Sequence, residues 1–175
     1  MRRTIVICAA LAALAVPATA FALHLGPGDG TLVVQNGTAP RGTAVVTLVI
    51  HGAAIGQISG LGKIVIDDPT DDFTPEVTGY NWHRQTGDTE DTWGGAGPNF
   101  RFRAVGGTYK ITIYGSGVDL VASGKGSVVL AGSPDAAASD GRYSLNGQDY
   151  RSLPATPTPS LRISISTAAP TSATG

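Results

Sequence analysis

Cysteine is almost absent from this sequence, and long apolar runs are absent too. The one cysteine, Cys8, lies inside an apolar run that covers residues 5–16. That run is shorter than the roughly 20 residues needed to span a bilayer, which argues against a retained membrane anchor. If the run is removed, the rest of the chain has no thiol, which excludes a disulfide and a thiolate nucleophile or metal ligand. The remaining chain must then be stabilised by its core.

Basic residues are not in excess either. Twelve Lys and Arg stand against 13 Asp and Glu, so loss of Arg2 and Arg3 leaves ten basic residues and a net charge of −3. Proteins that neutralise nucleic-acid phosphates carry clustered Lys and Arg. We therefore expect no nucleic-acid partner.

Catalytic and metal-binding motifs are also missing. The chain has no Gly-x-Ser-x-Gly nucleophile elbow, and His24, His51 and His83 are scattered rather than arranged as a zinc motif. We therefore expect a non-enzymatic protein without a resident cofactor. A secreted glycoside hydrolase that uses a carboxylate pair such as Asp72 and Asp91 is the less favoured alternative.

What is present begins with the features of an export signal. Arg2 and Arg3 precede the apolar run, which Pro17 ends, and small residues at Ala20 and Ala22 offer cleavage sites. This order predicts a signal peptide over residues 1–22 and a protein in the medium or the cell envelope, without membrane contact after cleavage. Residues 167–175 are rich in Pro, Ala, Ser and Thr, which predicts a disordered tail. Residues 23–166 then form a single domain.

The body of the chain reads as strands between glycine-rich breaks. Runs rich in Val, Ile, Thr, Phe and Tyr cover residues 31–35, 43–51, 55–59, 63–67, 99–105, 108–114, 118–122, 127–131 and 161–166. No segment keeps a helical apolar period. The pattern predicts an all-β fold, an antiparallel β-sandwich of jelly-roll type with about 8 to 10 strands.

Two features suggest how the strands connect. Gly106-Gly107 separates two alternating segments and predicts a two-residue hairpin turn, which would place Phe102 opposite Ile111 and Arg103 opposite Lys110. Residues 48–66 also echo residues 111–130. This echo predicts two duplicated three-strand meanders, with chance similarity of glycine-punctuated strands as the alternative.

The acidic segment 67–98 shows few strand signals and is predicted to be a long loop. It carries the four carboxylates that we consider as Ca²⁺ ligands outside the cell: Asp67, Asp68, Asp71 and Asp72. One alternative is a solvated acidic loop. Another is a loop that folds over a basic face formed by Arg101, Arg103 and Lys110, where exposed ion pairs would position it.

The same segment carries an aromatic cluster of Tyr80, Trp82, His83 and Trp93. Aromatic faces stack on sugar rings, and nearby polar groups bind sugar hydroxyls. We therefore predict that this loop, with Arg101 and Arg103 beside it, binds an extracellular glycan or a cell-wall polymer. The alternative is that the tryptophans plug the end of the fold.

A resemblance supports export. The residues that carry it are Ile55-Gly56, Arg101-Phe102-Arg103, Gly106-Gly107, Tyr109, Gly124-Lys125-Gly126, Tyr143-Ser144-Leu145-Asn146-Gly147 and Tyr150-Arg151-Ser152-Leu153-Pro154. In these the chain resembles small secreted glycine-rich β-proteins of actinobacteria that have no assigned function. The resemblance implies an exported β-domain and brings no catalytic residues. Besides the hydrolase, a structural envelope protein without a small-molecule ligand is the other alternative to glycan binding.

Overall fold

The structure is a computed structural model that describes residues 26–37, 43–71, 74–133 and 141–165. The predicted signal peptide (1–22), the predicted tail (167–175) and Asp72 lie outside the described residues. The described part of the chain is all-β and antiparallel, as predicted, and contains no helix. It therefore has no helix long and apolar enough to cross a membrane.

Eleven strands form in the described residues. In chain order they are β1 (Gly30–Asn36), β2 (Ala44–Ile58), β3 (Leu61–Asp67), β4 (Glu76–Thr78), β5 (Trp82–Thr86), β6 (Glu90–Ala96), β7 (Arg101–Gly115), β8 (Val118–Ala131), β9 (Gly141–Leu145), β10 (Arg151–Ser152) and β11 (Leu161–Ile163). They belong to one hydrogen-bonded sheet in the order β10-β9-β1-β8-β2-β7-β3-β6-β5. In addition, β11 pairs with β8 and β4 pairs with β7.

The centre of the sheet consists of three long strands with a row of glycines across them. Gly52 of β2 lies opposite Gly107 of β7 on one side and Gly124 of β8 on the other. The φ angles of Gly52 and Gly124 are 151° and 140°. A Cβ at Gly52 would lie 2.3 Å from the carbonyl oxygen of Ser123. Only glycine fits there, and such a row marks the place where long strands bend.

The predicted hairpin at Gly106-Gly107 is wrong, because β7 runs straight through both glycines. Gly107 pairs with Gly52 and Val105 pairs with Ala53, so Gly106, at φ 89°, is the extra residue of a β-bulge. A bulge flips the alternation of buried positions along a strand as a hairpin turn does. The sequence pattern therefore fits both, and pairing with β2 selects the bulge.

The predicted three-strand meanders are wrong for a related reason. Residues 44–58 form one strand rather than two, and so do residues 118–131. The echo also aligns Gly52, in the middle of β2, with Gly115, at the end of β7. Because one glycine lies inside a strand and the other ends one, the matched segments are not equivalent units.

One hydrophobic core contains residues from both ends of the long strands. Its fully buried larger side chains are Leu32, Leu48, Ile50, Ile58, Ile64, Ile66, Phe100, Tyr109, Ile111, Ile113, Leu120 and Leu130. A sheet with one buried face must pack it against another element. Since the described residues include no helix, this burial favours packing of the sheet on itself. The two-sheet sandwich and its jelly-roll connection stay predictions, because the hydrogen bonds define a single sheet.

Candidate functional site

About half of the predicted long loop 67–98 is strand. It holds β4 and a β5–β6 hairpin that forms one edge of the sheet. All five residues of β5 are exposed. A strand exposed on both faces has no apolar alternation, so the sequence pattern gave no sign of it.

The hairpin places the two tryptophans on opposite faces of the sheet. Trp82 lies opposite Gly94, and the next residue, His83, lies opposite Trp93. Successive residues of a strand point to opposite faces. Trp93 is 8% exposed and belongs to the core, whereas Trp82 is 49% exposed. The plug hypothesis thus fits Trp93, whereas Trp82 is accessible at the surface.

The core-side face of the hairpin carries His83 and Trp93, and Tyr80, just before β5, contacts His83. The ring of His83 stacks on Trp93 with centroids 5.0 Å apart and planes at 13°. The Nε2 atom of His83 lies 2.7 Å from Oδ1 of Asp91. Tyr80 is tilted against His83 at 6.1 Å. The stacking and the carboxylate hold the imidazole in one orientation at the rim of the core.

The opposite, outward face carries an arrangement that the sequence analysis missed. Trp82, Gly94, Lys63 and Tyr114 lie directly beside one another on β5, β6, β3 and β7. We call this set the outer aromatic row. Tyr114 is 38% exposed, and the ammonium of Lys63 lies 4.6 Å from the centre of its ring, a cation–π contact.

Gly94 lets the indole of Trp82 lie against the sheet. A Cβ at Gly94 would be 2.2 Å from atoms Cε2 and Cζ2 of the indole, so the ring covers the glycine backbone. An aromatic ring that covers a glycine on the neighbouring strand is a known way to compensate for the missing side chain. One side of the indole packs on the sheet while about half of the residue stays accessible.

A polar row runs next to the outer aromatic row. Two residues further along each strand, the outward positions are Arg84, Thr92, Val65, Thr112 and Thr47. Arg84, Thr92, Val65 and Thr112 lie on the four strands of the outer aromatic row, and Thr47 lies on β2, the next strand of the sheet. The threonine hydroxyls can donate and accept hydrogen bonds beside the aromatic rings.

The structure does not bring Arg101 and Arg103 to this surface. Both precede the Gly106 bulge of β7, whereas Tyr114 follows it near the end of the strand. Arg103 lies opposite Glu76 of β4 rather than opposite Lys110. An acidic residue does therefore neighbour this arginine, although it comes from a short strand rather than from a loop.

The structure describes three of the four predicted Ca²⁺ ligands, Asp67, Asp68 and Asp71. Oδ1 of Asp67 accepts a hydrogen bond from the hydroxyl of Thr89 at 2.9 Å. Asp68 is 7% exposed, and its Oδ1 accepts hydrogen bonds from Thr70 and from the backbone of Asp71, each at 3.2 Å. Among the described residues no group of three or more candidate ligands converges. Ca²⁺ binding stays a prediction, and Asp72 lies outside the described residues.

Comparison of the chain with protein-family models, with curated proteins and with solved structures finds no match. The resemblance to secreted actinobacterial proteins therefore stays a prediction, and the candidate site is argued from geometry alone.

Proposed function

We propose that the protein is an exported, non-enzymatic glycan-binding protein whose contact surface is the outer aromatic row. The observation that carries this proposal is the alignment of two exposed aromatic residues, Trp82 and Tyr114, on one side of four adjacent strands. An aromatic ring that packs one side on the sheet leaves its other side free to stack on a sugar ring.

The row fits an extended chain better than a single sugar. Neighbouring strands lie about 4.8 Å apart, so the backbone positions of Trp82 and Tyr114 are separated by about 14 Å. That span exceeds one sugar ring. A polysaccharide lying across the strands would contact both aromatic residues, with Lys63 between them and the hydroxyls of Thr92 and Thr112 along one side.

Rigidity supports the same function. All contact residues lie on strands, and Lys63 and Tyr114 belong to strands that are paired on both sides. Little side-chain or loop ordering is then needed on binding, which lowers the entropic cost of association. Export is supported by the order of residues 1–22, and it places the ligand among extracellular glycans and cell-wall polymers.

The test is titration of the purified protein with soluble polysaccharides and solubilised cell-wall fragments, followed by calorimetry and by tryptophan fluorescence. We expect saturable binding that Trp82→Ala abolishes and Tyr114→Ala weakens about tenfold, the loss expected for one aromatic contact. Tyr150→Ala is the matched control, because Tyr150 is an equally exposed aromatic residue away from the row. Absence of saturable binding, or binding that Trp82→Ala leaves intact, would contradict the proposal.

No observation favours the two alternatives, a structural envelope protein and a secreted glycoside hydrolase. Both stay predictions of the sequence.

A further inference from the structure

A cavity of about 690 Å³ opens beside β8 and β11, away from the four strands that carry the outer aromatic row. Its volume lies in the range of small-molecule binding sites. The lining residues that bear on its chemistry are Pro27, Gly28, Lys125, Gly126, Arg162 and Ser164. None of them belongs to the surface described above.

The cavity forms where one strand replaces another beside β8. On this side of β8, β1 pairs with residues 119–124 and β11 pairs with residues 126–128. Lys125 therefore lies at the junction between the two partner strands. A hydrogen bond from the backbone N–H of Ile165 to the carbonyl of Gly28, at 3.2 Å, joins the chain after β11 to the chain before β1. The gap is thus a fixed feature of the pairing.

Glycines surround Lys125 at this gap. Lys125 is flanked by Gly124 and Gly126, and its side chain lies next to Gly28, which also lines the cavity. A Cβ at Gly28 would lie 3.6 Å from Cε of Lys125. Positions without side chains allow a ligand to approach the backbone closely.

Two cations line the cavity without an acidic partner in the described residues. The side chains of Lys125 and Arg162 form no ion pair within the part of the chain that the structure describes. Asp29, which follows the lining residue Gly28, uses Oδ2 to accept a hydrogen bond from the backbone of Gly26 at 2.8 Å. The backbone of Arg162 is held by the β8 pairing and by a hydrogen bond from Nδ2 of Asn146 to its carbonyl, at 3.1 Å. Both cations are therefore available to a ligand, and one of them stands on a fixed backbone.

We propose that this cavity binds a small organic anion, with a phosphate or carboxylate group held between Lys125 and Arg162. A guanidinium binds the two oxygens of such a group in a fork, and an ammonium adds a point charge. The hydroxyl of Ser164 offers a further hydrogen bond. The volume exceeds what an inorganic ion needs and accommodates a body of the size of one sugar ring. This site is independent of the glycan surface, because the two share no residue.

Calorimetric titration of the purified protein with glucose 6-phosphate, glucuronate, inorganic phosphate and uncharged glucose tests the proposal. We expect one or both charged sugars to bind, glucose not to bind, and the affinity to fall as salt is added. Comparison of glucose 6-phosphate with glucuronate shows which anionic group is preferred. Lys125→Gln and Arg162→Gln should each weaken binding about tenfold, as expected for loss of one charge-assisted hydrogen bond. Lys110→Gln, an exposed lysine outside the cavity, should leave it unchanged.

A charge-retaining variant separates binding from folding. Lys125→Arg should bind within a few-fold of the wild type, whereas Lys125→Gln with the same melting temperature should not. The proposal is overturned if neither charged sugar binds at millimolar concentration, or if the double variant Lys125→Gln with Arg162→Gln binds as well as the wild type. Since the polysaccharide titration depends on Trp82, failure of one proposal is distinguishable from failure of the other.

Discussion

The indole of Trp82 covers the backbone of Gly94 on the neighbouring strand, and no other residue type at position 94 leaves room for it. This contact holds an exposed tryptophan at a sheet edge against the backbone of the neighbouring strand. A single added methyl group, in Gly94→Ala, should therefore affect both stability and binding.

We predict that Gly94→Ala displaces the indole and abolishes polysaccharide binding. The new Cβ would lie 2.2 Å from the indole, so the ring must leave the sheet. Because Trp82 lies at an exposed edge, the free energy of unfolding should fall by only about 1 kcal/mol, the low end of the cost of overpacking. Calorimetric titration and urea unfolding measure the two effects. Gly132→Ala is the control, since its Cβ would meet ordinary contacts at 3.4 Å. Unchanged binding in Gly94→Ala would show that the indole orientation is not needed.

The glycine row in the centre of the sheet gives a second prediction. Gly52→Ala and Gly124→Ala should each destabilise the fold by roughly 2 to 3 kcal/mol, because each combines an unfavourable φ with a clash against a neighbouring carbonyl. Gly87→Ala is the matched control. Gly87 also has a positive φ, 74°, but its Cβ would meet no atom within 4 Å, so strain alone remains, about 1 kcal/mol. Denaturant unfolding of the three variants checks the difference, and equal costs would contradict a clash at Gly52 and Gly124.

The sequence identified the alternating segments on either side of Gly106 but not how they connect. Phe102 and Tyr109 are both buried, so the parity of buried positions changes between them. A turn and a bulge both produce that change. The choice depends on whether a distant segment, β2, pairs along the whole length, and no local pattern carries that information.

The proposed contact surface could be predicted only in part for the same reason. Trp82 and Trp93 were both visible as candidates, but strand parity and register decide which of them is buried. Tyr114 and Lys63 come from two other strands, and only the register places them beside Gly94. From the sequence, Tyr114 and Lys63 can be assigned to outward positions of strands, but not to neighbouring positions.

The separation of the two tryptophans gives a third prediction. Trp93→Ala should destabilise the fold by about 3 to 5 kcal/mol, the usual cost of removing a buried aromatic side chain. Trp82→Ala should cost less than about 1 kcal/mol, because surface substitutions have small effects. Emission from Trp93, measured in Trp82→Ala, should be blue-shifted and insensitive to added quencher. Comparable costs for the two variants would mean that Trp93 does not belong to the core.

The turn after β3 gives the last prediction, and it separates a structural role of Asp68 from metal binding. Oδ1 of Asp68 accepts two hydrogen bonds within the turn, while its buried Oδ2 has no partner in the described residues. Asp68→Ala removes the acceptor of Thr70 and Asp71, so we expect a loss of about 1 to 2 kcal/mol in unfolding free energy without added metal. The matched variant is Asp71→Asn, which removes a carboxylate but keeps the backbone donor. Asn is chosen over Ala because Asp71 has a positive φ of 50°, a conformation that Asn tolerates. Asp71→Asn should therefore unfold like the wild type in the absence of Ca²⁺. If Ca²⁺ raises the melting temperature of the wild type but not of Asp71→Asn, the carboxylate acts as a ligand; if it raises neither, Asp68 serves only to hold the turn.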